Sequence, residues 1–257
     1  MQQEPQIYPG QPMEGERFVF FSIAAVNYFR ESGWVPDIVH ANDWHTAAAV
    51  PYLASLASQS EDRNLGLDSP GTLLTVHNLP YMGNGSEPAV RAYSIPPVEN
   101  PEVPAWAREI PLPMGIALAD HVNTVSPTYA REITTKQYGS GLDGPLASRR
   151  ETLSGILNGI DPAAWDPETD HHLAVHFSRC DLEKRLEGRF ALEEELGWEP
   201  DDSMPLLGIV TRLDNQKGVD FTLDALEGML DVPWRFVLLG TGSHHLENRC
   251  ADFGARH

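Results

Sequence analysis

Arg212 and Lys217 bracket the tetrapeptide Leu-Asp-Asn-Gln, between an apolar run and a helical pattern that opens near Gly218. A helix N-terminus presents free N–H groups and partial positive charge. Two cations beside it would seat a diphosphate, Arg as a bidentate fork and Lys as a point charge. In a group transfer they would stabilise charge growing on a departing phosphate oxygen. Spacing alone also allows plain surface cations matched to Asp214 and Asp220. A second set is histidine-rich: His40, Asp43 and His45 around one strand end, and His77 at another. Such a set could ligate zinc or another divalent ion and activate a water for hydrolysis. It could equally be a hydrogen-bonding wall for a sugar, or ordinary polar strand ends. No His-Glu-x-x-His or Cys-x-x-Cys spacing accompanies it. His171-His172 and His244-His245 read as surface residues. Gly240-Thr-Gly242 lacks the third glycine of a dinucleotide fold, and no Walker lysine occurs, so a tight turn is its plain reading.

These residues need elements to hold them. Residues 1–16, with three Pro and two Gly, read as irregular. Phe18, Phe21, Ala25 and Tyr28 recur at helical spacing up to Gly33. A short buried strand is expected over 36–40, a helix over 44–58, a polar loop over 59–71 and a strand over 72–76. Residues 80–114 are too Pro-rich for a regular element and read as a long surface excursion. A strand over 121–125 leads to Ser126-Pro127, an N-cap followed by Pro at the first helical position, with a helix expected to about 137. A strand over 153–157 ends at Asn158-Gly159. Beyond a polar stretch, a charged helix over 182–196 precedes strands Leu206–Val210 and Arg235–Leu239. Between them Val219, Leu223, Leu226 and Leu230 line a helix face, and a last helix starts near Ser243. Strands alternating with helices imply parallel sheets, and ligands bind beyond their carboxyl ends. The break near residue 160 implies two such sheets.

The chain has 257 residues and a formal net charge of −19, from 37 Asp+Glu against 18 Lys+Arg. A nucleic-acid partner needs a basic face and is excluded on that ground. The longest apolar run, 18–26 with only Ser22 breaking it, is too short to cross a bilayer, so no membrane association is expected. Two cysteines, Cys180 and Cys250, make no disulfide framework and fit a reducing, cytoplasmic compartment.

Six stretches occur in one order: PDIVHANDWHTA, LLTVHNLPYMG, ADHVNTVSPTYAREI, YGSGLDGPL, LSGILNGIDPAAWDPETD and RLDNQKGVD. Together they closely resemble bacterial glycogen synthases and plant starch synthases, from about Arg17 to Gly242. The resemblance implies an α/β chain of GT-B type, with two Rossmann-like parallel sheets facing a cleft. It implies transfer of glucose from ADP-glucose to the non-reducing end of an α-1,4-glucan, with retention and with no cofactor or metal. The partners implied are a nucleotide sugar and the glucan. Arg212 and Lys217 match the pair that holds the donor diphosphate, and with His77 form the expected catalytic set. Asp43, Trp44, His45, Asn78 and Asn158 match donor- or sugar-facing positions.

Three departures qualify the resemblance. The Lys-x-Gly-Gly-Leu loop does not precede Arg17, and the Glu-rich motif of the second domain does not follow. Pro113-Met-Gly-Ile116 stands where the family often has Lys-Gly-Gly-Ile. The expected division is an irregular 1–16, an acceptor-side domain over 17–160 without its first strand, and the start of a nucleotide-sugar domain over 161–257. Such a span is expected to be inactive alone. The alternatives are a metal-dependent hydrolase using His40, Asp43, His45 and His77, and a non-catalytic nucleotide- or glucan-binding fragment.

Overall fold

The computed structural model describes residues 13–59 and 70–257. The expectations for 1–12 and 60–69 lie outside them. The chain forms two compact units, Met1–Gly159 and Ile160–His257.

In the first unit four parallel strands lie in chain order: β1 (Ile38–Asn42), β2 (Gly71–Val76), β3 (His121–Thr124) and β4 (Leu153–Gly155). Right-handed connections between strands in that order bring the linking helices to one face. The helices are α1 (Met13–Ser32), α2 (Asp43–Ala47), α3 (Ala49–Gln59), α4 (Glu87–Ala92), α5 (Pro111–Leu118), α6 (Pro127–Glu132) and α7 (Asp143–Ser148). Side chains alternate along a strand, so Ala41, Leu74, Val76 and Val122 enter one core with Val19, Trp44, Leu112, Met114 and Leu146. The opposite face mixes polar side chains with Ile38 and Leu73. There His40 Nε2 lies 2.7 Å from Thr75 Oγ1, whose hydroxyl donates to Asn123 Oδ1. His121 Nε2 lies 2.9 Å from Ser154 Oγ on the same face.

Several sequence expectations need correction. Helix α1 begins at Met13, inside the stretch read as irregular. Its buried stripe is Val19, Ile23, Val26 and Phe29, while Phe21 and Tyr28 are 57% and 70% exposed. The helix carries apolar residues on both stripes, so period alone did not choose between them. Strand β1 is covered on one face only, with Ile38 62% exposed. Residues 80–114 are not a surface excursion. They hold α4 and the start of α5, and bury Val90, Ile95, Val98, Val103, Ile110, Leu112 and Met114. Prolines at the first turns of α4 and α5 occupy positions whose N–H has no helical partner anyway. Helix α6 stops at Glu132, short of 137.

The second unit pairs β5 (Leu206–Val210) with β6 (Arg235–Leu239), also parallel. Helices α8 (Lys184–Glu195), α9 (Val219–Glu227) and α10 (His244–Arg256) complete it. Its core is Leu213, Val219, Leu223, Leu226, Leu246 and Phe253. Leu230 falls beyond α9 and is exposed. Two strands leave apolar surface open: Val210 is 82% and Leu239 67% exposed. No helix among the described residues is long and apolar enough to cross a membrane.

Candidate functional site

The carboxyl ends of the strands are built differently in the two units. In the first, the chain leaves β1 through Asp43, whose φ of +51° is left-handed. Asp tolerates that region better than most residues because its short polar side chain bonds locally. Its Oδ1 accepts from the His77 N–H at 2.7 Å and the Asn78 N–H at 3.4 Å, fixing the loop after β2. Tyr129 of α6 holds the same loop, its Oη accepting from Leu79 N–H at 2.9 Å. Burial pushes the Tyr129 phenol up, so it stays neutral. Helix α6 is set in turn by Ser126, whose Oγ accepts from Thr128 N–H and Tyr129 N–H at 3.1 and 3.3 Å, as the N-cap reading expected.

His77 is exposed on this platform and Asn78 half-buried. The His77 Nε2 lies 3.1 Å from Asn42 Oδ1. An amide oxygen only accepts, so Nε2 is the donor in this contact. The arrangement can hydrogen-bond a polyhydroxylated ligand from a rigid backbone. Sequence reasoning missed Tyr129, because nothing in its spacing shows where a phenol oxygen ends.

Trp44 and His45 are placed otherwise. Trp44 is buried, with the Phe18 ring edge-on at 5.0 Å. Gly83 closes over it: an added Cβ would stand 2.6 Å from the indole, and φ there is +85°. His45 is half-buried, its ring 4.5 Å from that of Trp44 and 4.6 Å from that of Phe18. Burial draws its pKa down against the opposing pull of Asp43 and Glu14. Asn158 is exposed, three residues past β4.

The geometry lends the hydrolase alternative no support. His40 is engaged by Thr75 on the opposite face, Asp43 by backbone N–H groups, His45 by aromatic rings and His77 by Asn42. Among the described residues, only Asp170, His171 and His172 bring three potential ligand atoms within 4.8 Å of one another. His40, Asp43, His45 and His77 therefore form no shared cradle for an ion.

In the second unit Arg212 and Lys217 are exposed, and among the described residues neither forms an ion pair. Asp214 spends its Oδ1 on the Gln216 N–H at 2.9 Å, capping the 3-10 turn Asn215–Lys217. Asp220 Oδ1 is buried without a hydrogen-bond partner. Gly218, at φ +68°, then turns the chain into α9. The loop is held to the end of β6. Leu213 N–H donates to Thr241 O at 2.9 Å, and Ser243 N–H to Leu213 O at 2.9 Å. Gly240 and Gly242 are needed there, since a Cβ on either would run into the Thr211 or Leu213 carbonyl. The tight-turn reading of these glycines thus gains a cause.

The comparisons with known proteins agree with one another. A family model described as the starch synthase catalytic domain matches residues 1–148. The glycogen synthase of Streptococcus mutans is 37% identical, over 97% of this chain and 52% of its own length. Glycogen synthase 1 of Methylococcus capsulatus is 38% identical, over 95% of this chain and 48% of its own. Among solved structures, the catalytic domain of starch synthase IV from Arabidopsis thaliana, bound to ADP and acarbose, superposes with a TM-score of 0.80. Its identity is 33%, covering 98% of this chain and 51% of that one. The chain thus spans about half the length of the curated relatives it matches. With more than half of its residues matched by that family model, the chain belongs to the starch synthase catalytic-domain family.

Proposed function

We propose that the protein is a glycogen or starch synthase. In this reading it transfers glucose from ADP-glucose to the 4-hydroxyl at the non-reducing end of an α-1,4-glucan, with retention. Arg212 and Lys217 hold the donor diphosphate and offset the charge that grows on the leaving phosphate oxygen. His77 and Asn78 hydrogen-bond the transferred glucose, with Asp43 positioning both through their N–H groups. Asn158 faces the same sugar. Trp44 and His45 support the platform from beneath. Catalysis belongs to the whole protein rather than to this span, and its place is the cytoplasm.

The observation that carries this reading is that Arg212 and Lys217, exposed at a strand end, form no ion pair among the described residues, in a chain of net charge −19. Cations that the protein leaves without carboxylate partners are available to a ligand. Calorimetry with ADP tests the site on the 257-residue chain. Lys217→Ala should weaken ADP by about tenfold or more, the worth of one charge-assisted contact. Unchanged affinity in Lys217→Ala and Arg212→Ala would remove the site assignment. Incorporation of glucose from ADP-glucose into glycogen by this span alone would overturn the claim that the whole protein is needed.

A further inference from the structure

We propose that the turn at residues 170–172 binds one divalent transition-metal ion of the zinc class, apart from the transfer chemistry. Asp170, His171 and His172 place one ligand atom each within 4.8 Å of the others. Two imidazoles and a carboxylate suit zinc, nickel or copper, not calcium or magnesium. Donors on a tetrahedral zinc stand about 3.3 Å apart, given metal–nitrogen bonds of about 2.0–2.1 Å. The atoms therefore need to close by at most about 1.5 Å to reach that spacing, a movement open to side-chain rotation because both histidines are exposed. Their rings already lie 4.0 Å apart, tilted by 40°.

The backbone beneath is held in place. Thr169 N–H and Asp170 N–H both donate to Asp166 O, at 3.0 and 2.8 Å. Leu173 N–H donates to Asp170 O at 3.1 Å, and Phe177 N–H closes the loop on Pro167 O at 3.1 Å. The Asp170 Oδ1 accepts from His172 N–H at 2.9 Å, which orients the carboxylate and leaves the other oxygen for the ion. A ligand whose second oxygen is hydrogen-bonded loses less freedom on binding. The tandem pair His244-His245 makes the contrast. Glu247 Oε2 lies 3.3 Å from His244 Nδ1, yet among the described residues these side chains do not bring three ligand atoms within 4.8 Å of one another. Solvent would fill the remaining coordination position, and the ion would tie the turn together.

Equilibrium dialysis of the 257-residue chain against zinc chloride should give one equivalent bound in the micromolar range. His171→Ala and His172→Ala should each weaken binding by about tenfold or more. His244→Ala/His245→Ala should leave it unchanged. All these side chains are exposed, and circular dichroism checks that each variant is folded. Cobalt substitution identifies the donors. Weak visible bands alone are expected of nitrogen and oxygen ligands. A strong thiolate charge-transfer band would place the ion on Cys180 or Cys250 and overturn the proposal. So would absence of binding, or full binding by His171→Ala/His172→Ala.

Discussion

Asp43 shows how one side chain can fix the loop that leaves a neighbouring strand. Its carboxylate accepts two N–H groups of the neighbouring strand end, and its own backbone is left-handed. Asp43→Ala removes the acceptor and leaves a Cβ residue at that φ. It should cost about 2 kcal/mol in urea unfolding, whereas Asp43→Asn keeps an amide oxygen and should cost about half as much. His45 carries a pH dependence. Its folded pKa lies below the ordinary histidine value, chiefly through burial. The unfolded chain therefore takes up a proton first as the pH falls. Stability should be full above about pH 6.5 and decline below it, and His45→Gln should flatten that decline in melts between pH 5 and 7. The types of these residues were legible in the sequence, and so was their place at strand ends. Their division of labour was not, because φ at residue 43 and ring burial at residue 44 are properties of the folded turn.

Elements were read best where local signals agreed. Strands β5 and β6 match their expected bounds residue for residue, since each is an apolar run closed by turn residues. Ser126-Pro127 fixed the start of α6 for the same reason. The reading failed where two signals competed. Helix α1 has Phe20, Phe21 and Tyr28 on one side and Val19, Ile23 and Val26 on the other. Only packing against the sheet decides which stripe is inner. Prolines in residues 80–114 suggested a loop, yet α5 begins on Pro111 and α4 carries Pro88 in its first turn. Gly83 tests how tightly this region closes. Gly83→Ala places a Cβ 2.6 Å from the Trp44 ring at φ +85°. It should lower stability by about 3 kcal/mol or prevent folding, read as a thermal shift.

At the scale of the molecule, two units carry separate cores, and the second is pinned by one acidic group. Glu193 is fully buried. Its Oε1 accepts from Arg189 Nε at 3.1 Å and lies 2.9 Å from Arg235 Nη1, while Oε2 accepts from Asp201 N–H at 3.0 Å. Arg235 in turn stacks on Trp198, 5.4 Å from the ring centroid. Burial alone would raise the Glu193 pKa, but these donors together hold it below the ordinary range. A depressed carboxylate stabilises above its unfolded pKa, and the contribution fades as the pH falls below about 4. Glu193→Gln leaves two guanidinium groups without a counter-charge. It should speed hydrogen exchange in β5 and β6 at neutral pH while leaving β1 to β4 unchanged. The acidity of the whole chain said nothing of this knot, because net charge reports surface composition rather than pairing.

The stitching of Leu213 to Thr241 and Ser243 has one more effect. The backbone beside Arg212 is thereby tied to the chain that leaves β6, and a local turn over Asn215–Lys217 carries it on to Gly218. In the proposed function, a nucleotide would meet backbone already tied down here, with less loop ordering to oppose association. Gly240 would then tune affinity for the proposed ligand from a distance, because a methyl group there would run into the Thr211 carbonyl.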